Sequence, residues 1–297
     1  MITVFGSCGI DLIANVPRLP QPGETVLGGV FSMSPGGKGA NQALAARRAG
    51  AEVRFVGAVG NDDFAEKTLA MLRGDGVDLE AVRIMDAATQ VASIFVDATG
   101  ENVIAVLPGA NAEMVPADAD AALGELPAGA VVMLQQEITQ AATERALEIS
   151  KVRGLTSILN TAPFIADTPR LAAKAAILVA NETEFALLSG ASPDALDKPI
   201  ADWARANKQT VIVTLGGAGA RAATPDTAVS VPALPIVPVD TVGAGDTFCG
   251  YLAAGLAEGL ALETAMRRAA AAASIACLKP GAQPAIPWRA EVEAALA

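Results

Sequence analysis

Short apolar runs recur along the chain, separated by segments of helical spacing. The runs "ITVF" (2–5), "VRFVGAV" (53–59), "AVVML" (130–134), "SILN" (157–160), "AAILVA" (175–180) and "TVIVTLG" (210–216) show little polar alternation. That is the pattern of strands covered on both faces. Between them, "GANQALAARRAG" (39–50), "DDFAEKTLAMLRGDG" (62–76), "AATERALEISKV" (141–152) and "ETEFALLSG" (182–190) carry helical periodicity, and several close on glycine. The alternation predicts βαβ units, hence an α/β fold with a parallel sheet between helical layers.

Two stretches break the rhythm. Residues 25–34, "TVLGGVFSMS", and 91–107, "VASIFVDATGENVIAVL", lack helical spacing and read as strands, the second with a hairpin tip near "DATGEN". They predict a small second sheet that covers a pocket and whose exposed face pairs with a second subunit. No internal repeat or linker marks a domain boundary, so 1–297 reads as one domain.

Composition narrows the chemistry. Hydrophobic residues make up 52% of the 297, yet no apolar run is as long as a membrane span needs. The longest, "AAAAASIACL" (269–278), is bracketed by Arg267, Arg268 and Lys279 and reads as a buried helix. The first residues lack a secretory pattern, so a cytoplasmic protein is expected. A net charge of −11 argues against a nucleic-acid surface. Cys8, Cys249 and Cys277 are dispersed and suggest neither disulfides nor zinc. There is no histidine, which excludes an imidazole base, a Ser-His-Asp triad and a His-ligated metal. Chemistry must rest on carboxylates, lysine, backbone amides and borrowed ions.

Several motifs offer such groups. "SPGGKGANQALAARRAG" (34–50) brings Lys38 and Asn41 to the head of a helix, suited to a polyhydroxylated ligand, or is merely a turn that opens a helix. It lacks the order of a Walker P-loop. In "GSCGID" (6–11), Asp11 sits beyond the first strand, where open α/β sheets bind ligands, or caps a turn. In "VANETE" (179–184), Asn181 and Glu184 share a face of a first helical turn and either order waters around a magnesium nucleotide or form an N-cap. "TLGGAGA" (214–220) lets a nucleotide approach backbone or is a tight hairpin.

The most telling stretch is "VDTVGAGDTFCGYLAAGLAEG" (239–259). One reading makes Asp246 the N-cap of a helix at 247–258, although the capping-box position holds Cys249. The other has the amides of Gly243, Ala244 and Gly245 and the helix's positive end hold phosphate oxygens, with glycine leaving room for them. Asp246 then takes the proton from a hydroxyl that attacks phosphorus, while the amides stabilise the developing charge.

"SPGGKGANQALA", "NETE", "DTVGAGDTFCG" and the tail "KPGAQPAIPW", in that order, closely resemble the ribokinase-like carbohydrate kinases, over essentially the whole chain. The resemblance implies a three-layer α/β/α fold with a mostly parallel central sheet, and a small β-sheet lid at about 11–35 and 85–110. It implies transfer of the ATP γ-phosphate to a primary hydroxyl of a small sugar, D-ribose first, with Mg²⁺, K⁺ and a homodimer formed through the lids. Asp246 matches the catalytic base, and Gly243, Ala244 and Gly245 match the anion hole. Asp11, Gly37, Lys38, Asn41, Glu137 and Asp246 match the sugar site. Asn181, Glu184, Thr214, Gly216, Gly219 and Gly245 match the nucleotide site, Glu184 holding Mg²⁺ through water. Asp240, Val242, Ala276, Lys279 and Gly281 match the monovalent-cation site.

Two positions depart from that pattern: Gly9 stands where an Asn is usual, removing a sugar contact, and Ala285 where a Ser is frequent, removing a cation ligand. A nucleoside, 2-keto-3-deoxygluconate and fructose are therefore alternative acceptors. A sensor that binds sugar or nucleotide without turnover is the alternative of another class, and an NAD-dependent dehydrogenase lacks its fingerprint.

Overall fold

The computed structural model describes residues 1–297. Its strands are β1 (Ile2–Phe5), β2 (Gly9–Asn15), β3 (Phe31–Gly36), β4 (Val53–Val56), β5 (Ala58–Gly60), β6 (Arg83–Met85), β7 (Gln90–Val96), β8 (Asn102–Leu107), β9 (Val131–Leu134), β10 (Thr156–Asn160), β11 (Ile177–Asn181), β12 (Thr210–Thr214), β13 (Ala220–Ala223) and β14 (Ala228–Val231). Its helices are α1 (Lys38–Arg48), α2 (Asp63–Gly74), α3 (Pro116–Leu123), α4 (Gln140–Arg153), α5 (Thr168–Ala172), α6 (Glu182–Ser189), α7 (Asp197–Asn207), α8 (Ala244–Ala257), α9 (Leu262–Ala276) and α10 (Arg289–Leu296).

Eight strands form the central sheet, in the order β14-β13-β12-β11-β10-β9-β1-β4. The six from β12 to β4 run parallel; β13 and β14 continue as antiparallel hairpins at one edge. Successive side chains of a strand point to opposite faces, so runs apolar throughout feed two cores. Ile2, Val4, Val131, Met133 and Ile212 join residues of α1, α8 and α9 in one cluster. Phe5, Val132, Leu134 and Leu159 join α3 and α4 on the other face, where Leu178, Val211 and Val213 meet α6 and α7. The layers are therefore α/β/α, as expected. No helix is long and apolar enough to cross a membrane.

The second sheet has the order β3-β2-β7-β8. The hairpin β7–β8 turns where predicted. The expectation for 25–34 needs correction: regular pairing starts only at Phe31, and the partner strand is β2, which sequence reading left unassigned. Asp11 accordingly lies inside a strand of this small sheet, neither in a loop nor capping a turn.

The run 53–59 is two strands. A Cβ at Gly57 would stand 2.8 Å from the Gly6 carbonyl oxygen and 2.7 Å from the Phe55 ring. The chain leaves the central sheet there, and β5 pairs with β6 instead. The last helical boundary also moves: α8 starts at Ala244 with Gly243 as N-cap, so Asp246 stands inside the first turn and is not the cap.

Helices α1 and α8 cross at backbone distance. A Cβ at Gly250 would lie 2.5 Å from the Ala45 Cβ and 2.6 Å from the Gln42 carbonyl oxygen. Glycine there, and alanine opposite, bring the first turns of both helices together above the sheet.

Candidate active site

The carboxyl ends of β9 to β12 reach one edge of the sheet, the usual ligand edge of an open parallel sheet, and the crossing of α1 and α8 places Asp246 there. Its side chain is buried and turned away from the amides of its own helix. Asn41 donates Nδ2–H to Oδ2 at 3.0 Å, and Gln42 donates Nε2–H to Oδ1 at 3.0 Å. Thus each oxygen of the carboxylate holds a neutral amide, and no cation pairs with it directly. Asp246 also lines a cavity of about 180 Å³ with Lys38, Asn160, Asn181, Glu184 and Gly245.

The predicted sugar residues gather beside it. Glu137, in the turn after β9, accepts from the Ser7 hydroxyl at 2.6 Å and the Lys38 amide at 3.0 Å, both through Oε2. Gly37 opens α1 at φ 88°, and a Cβ on it would meet the Cys8 Cα at 2.6 Å. Asp11 faces Gly36, where a Cβ would stand 2.5 Å from the carboxylate. Burial, then Glu137 and Asp246, push the Asp11 carboxyl up to about 6, against the pull of Lys38. Burial works against the Lys38 charge, but Asp246, Glu137 and Glu184 outweigh it and raise its pKa. The Oδ1 of Asn41 is buried without a partner, an acceptor left for a hydroxyl. Three carboxylates and one ammonium suit a neutral polyol, whose hydroxyls donate to carboxylates, and repel an anionic one.

Beyond the small cavity lies a second, of about 310 Å³, whose lining includes Gly216, Gly219, Ile236, Phe248 and Cys277. Thr214 and Gly245 belong to both cavities. The strand-turn of 214–220 is a hairpin of β12 and β13, and its glycines line the larger cavity. A Cβ at Gly216, Gly217 or Gly245 would meet nothing within 4 Å, so open space lies beside the backbone at all three.

At the mouth of α8 the N–H groups of Gly243, Gly245 and Asp246 have no protein acceptor, whereas that of Ala244 is tied at 3.3 Å to the Thr241 carbonyl. The free donors and the positive end of a 14-residue helix make an anion cradle. Gly243 is required twice: its φ is 74°, and a Cβ would meet the Ala282 Cα at 2.9 Å.

Asn181 and Glu184 close a reciprocal capping box, the Asn181 Oδ1 accepting from the Glu184 amide at 2.7 Å and the Glu184 Oε2 from the Asn181 amide at 3.0 Å. Thr161 donates to the same Oε2 at 2.9 Å. Both side chains still line the Asp246 cavity, and the Glu184 Oε1 has no protein donor, so the donor set fits water-mediated Mg²⁺.

The predicted cation residues also meet. Asp240 accepts from the Val242 amide at 3.0 Å and from the Gly281 amide at 2.8 Å, joining the two loops. The Ala276 carbonyl receives the Lys279 amide at 3.3 Å. One carboxylate among carbonyls is a hard oxygen set that fits an alkali cation; buried Ala285 adds no oxygen from its side chain.

Sequence reading missed Gln42, Gln135, Asn160, Ser7 and Thr161. The signal was available: Gln135, Asn160 and Thr161 sit at the carboxyl ends of apolar runs, and Gln42 interrupts the buried face of α1. The three thiols are bystanders. Burial, then Asp246 and Glu184, raise Cys249 far above the ordinary thiol range, and burial pushes Cys8 up to about 12.

Known proteins share the sequence pattern and the fold. A ribokinase from Bacillus subtilis is 37% identical over 292 residues, covering 98% of each chain. A deoxyribokinase from Salmonella typhi is 35% identical over 292 residues, covering 96% of this chain and 95% of its own. The structure of Arabidopsis thaliana ribokinase complexed with ribose and ATP superposes with a TM-score of 0.88 at 29% identity, over 99% of this chain and 98% of that one. The family model of pfkB carbohydrate kinases matches residues 1–289, and the chain belongs to that family.

Proposed function

We propose that this protein transfers the γ-phosphoryl group of ATP to the primary hydroxyl of D-ribose, giving ribose 5-phosphate. The observation that carries the reading is Asp246 in the smaller cavity, next to Gly245, which lines both cavities, its carboxylate oriented by Asn41 and Gln42 beside the free amides of the α8 mouth. The sugar lies among Asp11, Gly37, Lys38, Asn41 and Glu137. The nucleotide lies along Thr214, Gly216 and Gly219, its phosphates reaching Gly245.

Asp246 takes the hydroxyl proton as that oxygen bonds to phosphorus and the bond to the leaving phosphate breaks. The amides of Gly243, Gly245 and Asp246 hold the charge that builds on the transferring group. Lys38 adds a positive charge on the same side. Bound through water at Glu184 and Asn181, Mg²⁺ would neutralise phosphate charge; K⁺ at Asp240 would brace the loop that carries Gly243. The lid, about 11–35 and 85–110 of a single domain, closes over the sugar and excludes water.

A homodimer through the lids belongs to the same proposal. Paired residues of a sheet share a face, and the face opposite Asp11 exposes Phe31, Met33, Phe95, Val103 and Leu107. Such an apolar face suits a second copy. A cytoplasmic setting, where ATP is plentiful, completes the picture.

The test is ADP release with MgATP against D-ribose, 2-deoxyribose, fructose, 2-keto-3-deoxygluconate and nucleosides, with and without K⁺. Fastest turnover on D-ribose is expected. 2-Deoxyribose is the second reading, favoured by the deoxyribokinase relative and by Gly9, whose Cβ position lies 2.8 Å from the Gln90 Cβ and leaves no room for a longer side chain. Ligand binding with no ADP from any acceptor would overturn the enzyme in favour of a sensor.

A further inference from the structure

Asp246 is fixed by two amides, and only one of them stands where a sugar is expected. Gln42 is 1% exposed, as is Gln135. Every polar atom of the Gln42 side chain is engaged. Its Oε1 accepts from the Gln135 Nε2 at 2.7 Å, and its Nε2 donates both to Asp246 Oδ1 at 3.0 Å and to Asn160 Oδ1 at 3.2 Å. Asn160 in turn donates to the Val179 carbonyl at 3.2 Å. The direction of this chain is forced. An ionised carboxylate accepts only, so the nitrogen of Gln42 must face Asp246 and its oxygen must face Gln135.

We infer that Gln42 is a positioning residue for the phosphoryl transfer, holding the plane of the Asp246 carboxylate through a buried carboxamide chain anchored on the central sheet at β9 and β10. The inference rests on Asp246 being the base. Asn41 alone pins Oδ2 and leaves the carboxylate free to turn about its Cβ–Cγ bond; the second donor, on Oδ1, removes that rotation. Proton transfer needs the acceptor lone pair aimed at the hydroxyl, and a misplacement of about 1 Å can cost about 100-fold in rate. Gln135 directly follows β9 and Asn160 ends β10, neighbouring parallel strands, so the most rigid part of the fold supports the base. Asn160 lines the Asp246 cavity, so the chain also ties the base to the wall that carries Asn181 and Glu184.

The test uses the intact protein and three variants. Gln42→Leu removes the donor at similar volume, Gln42→Glu keeps the shape and sets a carboxylate against Asp246, and Gln135→Leu removes the support behind Gln42. For Gln42→Leu the expected result is a fall in kcat of about 10- to 100-fold with KM for sugar and ATP within about threefold. Gln135→Leu lowers kcat in the same sense but less. In Gln42→Glu the acid limb of the kcat profile moves up by about one pH unit or more, because like charges disfavour the ionised base. The other charged groups facing Asp246, namely Lys38, Asp11 and Glu184, are unaltered, as is the un-ionised Cys249 thiol. Should Gln42→Leu not fold, the acid limb of Gln42→Glu decides. Kcat within about twofold of the parent in folded Gln42→Leu, a loss confined to KM, or an unmoved acid limb in Gln42→Glu would each overturn the inference. Asp246→Asn, run alongside, separates this failure from that of the base itself: full activity there sinks the base assignment instead.

Discussion

Gly250 on α8 lies so close to Gln42 on α1 that a Cβ would stand 2.6 Å from the Gln42 carbonyl oxygen. This contact sets the spacing of the two first turns, and therefore the bonds from Asn41 and Gln42 to Asp246 one turn away. Gly250→Ala should cost about 1–3 kcal/mol of stability through overpacking. It should also lower kcat by up to about 100-fold, since a displacement near 1 Å at the base has that effect. Urea denaturation and initial rates measure the two; stability lost with unchanged kcat would show that the helices separate without moving the base.

Asp246→Asn keeps the volume but reverses one amide contact and removes the proposed proton acceptor. Turnover should fall by about 10²–10⁴-fold, the range for a general base, while the melting temperature and KM for ATP change little. Steady-state kinetics with thermal melts decide it.

Asp11 yields a prediction about pH. Its carboxyl is raised in the folded protein to about 6 from 3.8, so between those values the folded state binds more protons than the unfolded. Stability is therefore greatest below the lower value and falls as pH rises through the upper one. Asp11→Asn should be more stable than the parent at pH 7, by at most about 3 kcal/mol, and equal to it below about pH 4. The same variant should bind sugar more weakly, and in the parent KM for sugar should rise as pH drops below about 6. Denaturation at both pH values, with KM profiles, tests both statements.

Asp240 joins the Val242 and Gly281 amides, and Gly281 shares its loop with Ala282, on which Gly243 packs. Asp240→Ala should loosen the cradle at the mouth of α8 and lower kcat/KM for ATP about 10-fold or more, as two amide bonds to a charged group are lost. Turnover of the parent should rise on replacing Li⁺ with K⁺, and the variant should not respond. A potassium titration of both proteins is the measurement.

The layers of the fold were legible because parallel strands buried on both faces are apolar at every position, as 130–134 and 210–216 are. What was not legible depended on contacts remote in sequence. The break of 53–59 at Gly57 is imposed by Gly6 and by a ring two residues back, neither of which periodicity records. Strand β2 was hidden because Ile13 interrupts the alternation of Ile10, Leu12 and Ala14 with Gly9, Asp11 and Asn15. In the site, glycines and acids within short motifs were readable, and Asp246, Asn181, Glu184 and Lys38 do converge on one cavity. The supporting amides were not: Gln42 and Asp246 are separated by 204 positions, and only the crossing at Gly250 makes them neighbours.

A further consequence follows from the amides that hold Asp246. Carboxamides neither gain nor lose protons in water, the chain has no imidazole, Lys38 is kept cationic by its acidic neighbours, and the Cys249 thiol is kept from ionising. Once Asp11 has ionised, neither the carboxamides, nor Lys38, nor the Cys249 thiol changes charge until strongly alkaline conditions. The catalyst is thus indifferent to drift in cellular acidity above neutrality, and turnover against pH should run as a broad plateau.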